Sequence, residues 1–349
     1  MHKRVTSQDV ADLAGVSRTT VSFVLNEEQR FAIRPQTREK VKQAAKTLGY
    51  VPNASARALA LNQSQAIGLI LTRNPRYIAA DTFLPQIISG LLDAVKDYRL
   101  GLMVEWVEPG EQVQTYHNLI KARHIDGLIL MTPRYDDPGL KALEDSDIPT
   151  VMMGEVPDSN LFSVDVDNVA AAKMAVEHLI GLGHTQIACI VNAPPPYSSA
   201  AQRLEGYQAA LKQAGIPYNE KLVRFADFDA QSGYKQMQAL LKSKQSFTAA
   251  FVASDNVALG AMSAIREAGL SIPRDISLVG FDDVPSAAFA MPGLTTVRVP
   301  ACEIAQESCH LLVRLIKGEI PESRALILPT QFIPRGSTRE TGRRSAHQK

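Results

Sequence analysis

Tyr50 to Leu61 reads Tyr-Val-Pro-Asn-Ala-Ser-Ala-Arg-Ala-Leu-Ala-Leu. Ahead of it lies a compact basic stretch patterned for helices. Beyond it, from Ala66-Ile67-Gly68-Leu69-Ile70-Leu71, short apolar runs alternate with amphipathic helices, and this change of period marks a change of domain. Pro52 ends the preceding helix, and Asn53 is placed to cap a short new one filled with alanine. A helix of under about 12 residues is marginal alone in water, so this one is expected to order only when something packs on it.

Toward the N-terminus, Thr6 and Asp9 have the spacing of a capping box. Val10, Leu13 and Ala14 then form one apolar stripe before Gly15 breaks the helix. Ser17 caps a second helix whose inner face carries Val21, Val24 and Leu25. A third begins near Pro35, buries Val41, Ala44, Ala45 and Leu48, and stops at Gly49. Two helices joined by a tight Ala-Gly-Val-Ser turn are a helix-turn-helix, whose second member can enter a DNA major groove. Ser17, Arg18, Thr19, Ser22 and Asn26 on its outer face suit phosphates and base edges. A three-helix bundle with a merely polar surface would share this pattern.

Charge separates the same two regions. Residues 1–60 carry ten Lys or Arg against five acids, a balance of +5, while the rest of the chain carries −4. A basic module beside a mildly acidic one points to a polyanionic partner for the first. The 45% hydrophobic and 21% charged content of 349 residues suits two or three soluble domains. Cys189, Cys302 and Cys309 are an odd number without a CxxC spacing, so buried thiols are expected, not a disulfide framework or zinc site. Met1 to Thr6 leads into no apolar leader and no run of about 20 apolar residues follows, so a cytoplasmic protein is expected.

Asp9-Val10-Ala11, Ala14-Gly15-Val16-Ser17, Thr20-Val21-Ser22, Val24-Leu25-Asn26, Thr37-Arg38, Leu48-Gly49-Tyr50 and Pro52-Asn53 together resemble the headpiece and hinge of the lactose repressor (LacI/GalR) family. The resemblance implies a dimer on a pseudo-palindromic operator in double-stranded DNA. The helix from Ser17 would read the major groove, and Thr6, Ser7, Ser17, Arg18, Thr19, Thr20, Ser22, Phe23 and Asn26 would be its contacts. Phe23 stands where many members have a polar or basic reader; it could touch a thymine methyl or pack inward. Residues 51–62 match the family's hinge helix, with Asn53, Ala56 and Arg57 lining the minor groove or the phosphates and Leu59 wedged into the central base step.

In the second region, candidate strands are Ile67 to Leu71, Leu102 to Trp106, Gly127 to Met131, Thr150 to Met153, Ile187 to Val191, Ala249 to Val252 and Ser277 to Phe281. The intervening helical patterns predict a parallel α/β fold in two layers with a crevice beyond the strand ends. Asp126-Gly127-Leu128-Ile129, Arg203-Leu204-Glu205-Gly206-Tyr207, Ser254-Asp255-Asn256 and Gly280-Phe281-Asp282-Asp283 resemble the family's effector domain, which is related to periplasmic sugar-binding proteins. An all-α headpiece (1–50), hinge (51–62), two-subdomain core (63–335) and flexible tail (336–349) are therefore expected. The N-subdomain would comprise about 63–163 and 296–324, and the C-subdomain about 164–295 and 325–335.

By the same resemblance, Arg203 would clamp effector oxygens and Asp282 accept from hydroxyls. Phe228 would be an aromatic platform for a sugar or purine face, Phe83 and Leu84 the opposite apolar wall, and Glu155 and Ser254 further contacts. Ser254, Gly154 and Val299 depart from the family's commoner Asn, acid and Gln. A sugar is the expected effector, with a nucleobase or nucleoside as the alternative. A solute-binding protein whose headpiece no longer reads DNA would be a different class. There is no Gly-x-Ser-x-Gly elbow, so neither an enzyme nor a bound cofactor or metal is expected.

Overall fold

The computed structural model describes residues 5–25, 32–51, 64–73, 78, 81–108, 110–122 and 124–341. The chain divides into two compact units, Met1–Ser64 and Gln65–Lys349.

In the first unit α1 (Ser7–Ala14), α2 (Arg18–Leu25) and α3 (Pro35–Leu48) close a small core of Val10, Ala11, Val21, Val24, Val41, Ala44 and Ala45. The capping box is formed: the Asp9 amide donates to Thr6 Oγ1 at 3.3 Å, and the Thr6 amide donates to Asp9 Oδ2 at 2.7 Å. Gly15 ends α1 at φ 66°, a left-handed turn that lets α2 restart within three residues. Leu13, assigned above to the inner stripe, is instead 55% exposed. The three helices cross over a core of small residues, and Val10 and Ala11 fill α1's share of it.

The second unit holds two parallel sheets. One has the order β11-β5-β4-β3-β1-β2, built from Ala325–Leu328, Phe162–Val166, Thr150–Met153, Gly127–Met131, Ala66–Leu71 and Gly101–Trp106. The other has the order β7-β6-β8-β9, built from Val223–Phe225, Ile187–Val191, Ala249–Val252 and Ser277–Val279. The central strands β1, β3, β6 and β8 are almost wholly buried, the consequence of helices covering both faces. The main covering helices are α4 (Leu84–Tyr98), α5 (Gln112–Ala122), α7 (Asn168–Gly181), α8 (Ser198–Gln213), α9 (Ala230–Lys242), α10 (Asp255–Glu267) and α12 (Ala301–Ile316); α6 (Leu140–Glu144) and α11 (Pro285–Phe289) are single turns.

Subdomain boundaries differ from those expected. The strand β5 runs to Val166 within the first sheet, and β11 pairs with it in parallel, Leu326 opposite Val164. Both therefore belong to the N-subdomain. Conversely β10 (Thr296–Arg298) pairs antiparallel with β12 (Gln331–Ile333), and the C-subdomain is bridged by Arg298 at Asp282 and by the preceding Thr295 at Val279. The chain thus crosses three times, after β5, after β10 and after β11. Residues 337–341, expected to belong to a flexible tail, are instead fastened to the core. Ser337 is buried, its carbonyl accepting from Leu278, and the Thr341 amide donates to the Leu182 carbonyl. His178 Nε2 meets Thr338 Oγ1 at 3.0 Å and His184 Nε2 meets the Arg339 carbonyl at 3.1 Å, so these histidines fasten residues 338–339. Cys189 and Cys309 are buried thiols as expected, whereas Cys302 is half-buried.

Candidate functional site

Two sites are assembled from the predicted residues, one in each unit. In the first, Ser17 Oγ accepts from the Thr20 amide at 3.1 Å and shares a hydrogen bond with the Thr20 hydroxyl at 2.9 Å, fixing the start of α2. Arg18 Nε donates to Ser7 Oγ at 2.9 Å, so the first turn of α1 holds the arginine at the head of α2. Thr6, Ser17, Arg18 and Thr19 are exposed, while Ser7, Thr20, Ser22 and Phe23 are half-buried. Thr19, Ser22 and Phe23 fall on the side of α2 opposite Val21 and Val24. Asn26, Asn53, Ala56, Arg57 and Leu59, and with them the hinge, lie outside the described residues.

The second site is a cavity in the second unit, between its two sheets and beyond the carboxyl ends of their strands, where the crossover topology of parallel sheets leaves a crevice. It encloses about 800 Å³ of space with its mouth. Several of its residues adopt the left-handed backbone conformation just past a strand: Thr132 after β3, Gly154 after β4, Phe228 shortly after β7, and Asp282 after β9. At Gly154, φ 119°, a side chain would also bring Cβ within 2.6 Å of Pro133. Backbone bonds join the subdomains at the rim: the Tyr135 amide donates to the Pro196 carbonyl at 2.8 Å and the Ser198 amide to the Pro133 carbonyl at 3.2 Å.

Arg203, on the second turn of α8, is the centre of its polar end. Nε donates to Asn168 Oδ1 at 3.0 Å, and Nη1 donates both to the Ala253 carbonyl at 2.7 Å and to Asp282 Oδ1 at 3.2 Å. Its guanidinium lies 3.9 Å from the centroid of Phe281. Burial pushes Asp282 up to about 6, although Arg203 and the Ser254 hydroxyl both favour its charged form, and nearby Asp81 raises it further. Asp165 is also pushed up to about 6, chiefly by burial, against hydrogen bonds from the Val166 amide and Asn168 and the charge of Arg203. Two buried acids beside a rigid arginine suit neutral hydroxyl groups, which can donate to the acids and accept from the guanidinium.

Five of the seven residues expected at this site line the cavity: Phe83, Arg203, Phe228, Ser254 and Asp282. Leu84 does not; it is buried in the main core as the first residue of α4. Glu155 is exposed and outside the lining, because Gly154 turns the chain away at the end of β4, though its charge still reaches Asp165. Sequence reasoning missed Arg73, Asp81 and Thr82. Arg73 follows β1, and a search beyond every strand end would have found it. Asn192 also went unremarked, one residue past β6.

With the geometry in hand, comparison with known proteins decides the family. Residues 6–53 match the family described as bacterial regulatory proteins, lacI family, and residues 176–338 match the periplasmic binding protein-like domain. The HTH-type transcriptional regulator CelR of Thermobifida fusca is 35% identical over 338 residues, 96% of this chain and 98% of that protein. The chain belongs to the LacI family. It is accordingly a DNA-binding transcriptional regulator and not an enzyme, with a helix-turn-helix domain and a periplasmic-binding-like α/β core. The HTH-type transcriptional repressor CytR of Escherichia coli K12 is 34% identical, covering 96% of each chain. Among solved structures, the Lac repressor dimer bound to operator and the anti-inducer ONPF matches with a TM-score of 0.86 at 33% identity, over 97% of this chain and 100% of that one. A complex of CelR with cellobiose matches with a TM-score of 0.74 at 35% identity, over 96% and 100%.

Proposed function

We propose that this LacI-family member is a cytoplasmic repressor that binds a pseudo-palindromic operator as a homodimer and responds to a sugar held in the cleft. The observation that carries the effector reading is the buried Arg203–Asp282 pair at 3.2 Å, with Asn168 and Ser254 beside it and apolar Phe83 and Ile87 in the same lining. Polar groups that pair with one another can exchange those bonds for a ligand's vicinal hydroxyls. Apolar side chains suit the faces of a sugar ring. The cellobiose bound by CelR supports the sugar class.

Ligand in the cleft changes the spacing of the two subdomains, and through the dimer it favours or disfavours paired hinge helices on DNA. Arg18 and Thr19 of α2 read each half-site. Leu59, from its place in the sequence, wedges the minor groove, with Asn53, Ala56 and Arg57 beside it.

Gel shifts on the pseudo-palindromic site upstream of the protein's own gene, with and without a sugar panel, test this reading. A sugar at 100 times its dissociation constant stabilises the fold by about 2.7 kcal/mol and is first found by thermal shift. Equal affinity for the site and for scrambled DNA would defeat the repressor reading. Leu59→Ala is expected to weaken specific binding far more than non-specific binding; equal losses would refute the wedge.

A further inference from the structure

The aromatic platform of the cleft is already covered. Arg73, which follows β1 of the N-subdomain, places its guanidinium carbon 4.5 Å from the centroid of Phe228, a C-subdomain residue. Both side chains line the cavity, and Arg73 reaches Phe228 from the opposite subdomain, so the guanidinium lies over the ring within the cleft. The arginine is not loosely placed. Nη2 donates to Asp81 Oδ2 at 2.5 Å, with the two side chains only 12% and 8% exposed. Asp81 is itself fixed, since its other oxygen accepts from the Phe83 amide at 2.8 Å and the Leu84 amide at 3.0 Å at the head of α4. Phe228 is equally constrained: it sits at φ 61°, its amide donating to the Asn192 carbonyl at 2.7 Å and its carbonyl accepting from Asn256 Nδ2 at 3.0 Å. Tyr197 stands edge to face with it, centroids 4.9 Å apart.

We propose that Arg73 is a specificity-determining residue that withholds the face of Phe228 from flat aromatic ligands, so that the cleft selects saturated polyhydroxylated rings over nucleobases and nucleosides. This rests on the cleft being the effector site. A base stacking on Phe228 must lift the guanidinium off the ring and out of its pair with Asp81. That forfeits the cation–π contact and leaves a buried carboxylate without its charge partner, a loss that one stacking contact does not offset. A saturated ring needs no such displacement. It lies beneath the guanidinium, toward Arg203 and Asp282, and uses donors that the planar fork still offers. Two further groups favour a hydroxyl-rich ligand: Thr82 Oγ1 and Asn192 Oδ1 line the cavity, are buried, and lack a hydrogen-bond partner among the described residues.

The test compares the full-length protein with the double variant Arg73→Met/Asp81→Asn. The two substitutions remove both charges together, and the carboxamide oxygen that replaces the Asp81 carboxylate can still accept from the two α4 amides. Adenosine and uridine are the probes, titrated by calorimetry, with circular dichroism and thermal unfolding verifying the fold. The expected result is no measurable nucleoside binding to the wild-type protein up to millimolar concentration, and at least a tenfold gain in nucleoside affinity in the variant. Micromolar binding of either nucleoside by the wild type would overturn the proposal, as would a folded variant whose nucleoside affinity is no higher than the wild type's. The nucleoside titrations stand apart from the sugar screen. A failed sugar screen would count against the sugar-responsive reading, while the gain or absence of nucleoside binding still decides the role of Arg73.

Discussion

Arg203 Nη1 lies 3.2 Å from Asp282 Oδ1 inside the cleft, and the same Nη1 donates to the Ala253 carbonyl at 2.7 Å. The arginine thereby ties the ends of two C-subdomain strands, β8 and β9, to the helix α8 that carries it. Asp282 is held in turn by the crossover segment: its amide donates to the Val297 carbonyl at 2.8 Å, and its carbonyl accepts from Val299 at 3.2 Å. A ligand that pulls on this pair pulls on a chain segment passing between subdomains.

Removing the arginine therefore has two effects. Arg203→Met leaves Asp282 buried without its cation, and the expected cost is about 3 kcal/mol, at the low end for broken buried pairs because Ser254 remains and the acid can take a proton. Chemical denaturation checks the stability. Calorimetry with the sugar found by thermal shift should show binding lost even where the variant is folded.

Asp282 gives the site a pH dependence. A carboxyl that holds its proton to about pH 6 when folded and to about 4 when unfolded favours the folded state at low pH. This share of stability is intact below about pH 4 and is lost as pH rises through about 6. Sugar binding is expected to run the other way, because the ionised acid is the better acceptor. Affinity should fall as pH drops from about 7.5 to about 5.5, and Asp282→Asn should flatten that profile.

Gly154→Ala probes the floor of the cleft. The left-handed backbone and the 2.6 Å approach to Pro133 predict a loss of about 1–3 kcal/mol by thermal unfolding, with weakened sugar binding. An unchanged melting temperature would mean that the β4 end is not constrained as described.

In the headpiece, Thr6→Ala removes the N-cap of α1 and should destabilise that unit by about 1 kcal/mol. Arg18→Ala should cost about 1–3 kcal/mol on the specific site and less on scrambled DNA. Fluorescence anisotropy on both duplexes separates a reading role from plain charge loss, which would weaken the two alike.

Much of this architecture is legible in the chain because its central strands are apolar without interruption. Ile67 to Leu71, Gly127 to Met131 and Ile187 to Val191 could hardly be anything else once helical patterns separate them. β5 was harder, since Ser163 and Asp165 interrupt its apolar run, and β7, β10 and β12 at three residues each carry no period. β11 joins its sheet only through the pairing of Leu326 with Val164, a contact across some 160 residues. In the cleft, Arg203 and Asp282 are readable because they sit in motifs. Arg73 is readable only as a residue beyond a strand end; its pair with Asp81 and its contact with Phe228 arise only when β1 and the head of α4 meet the other subdomain. Leu84 and Glu155 show the converse error: each is next to a lining residue in sequence, but one turns into the core and the other out to solvent.

The most direct test of ligand control is operator binding measured by fluorescence anisotropy, with and without a saturating concentration of the sugar that stabilises the protein, for wild type and Asp282→Asn. The expected change in wild-type operator affinity is about 5- to 150-fold, corresponding to a coupling of about 1–3 kcal/mol. Asp282→Asn should bind the operator as tightly as sugar-free wild type and show no response. A sugar that occupies the cleft without changing wild-type operator affinity, or an Asp282→Asn protein that responds as the wild type does, would contradict control through this pair.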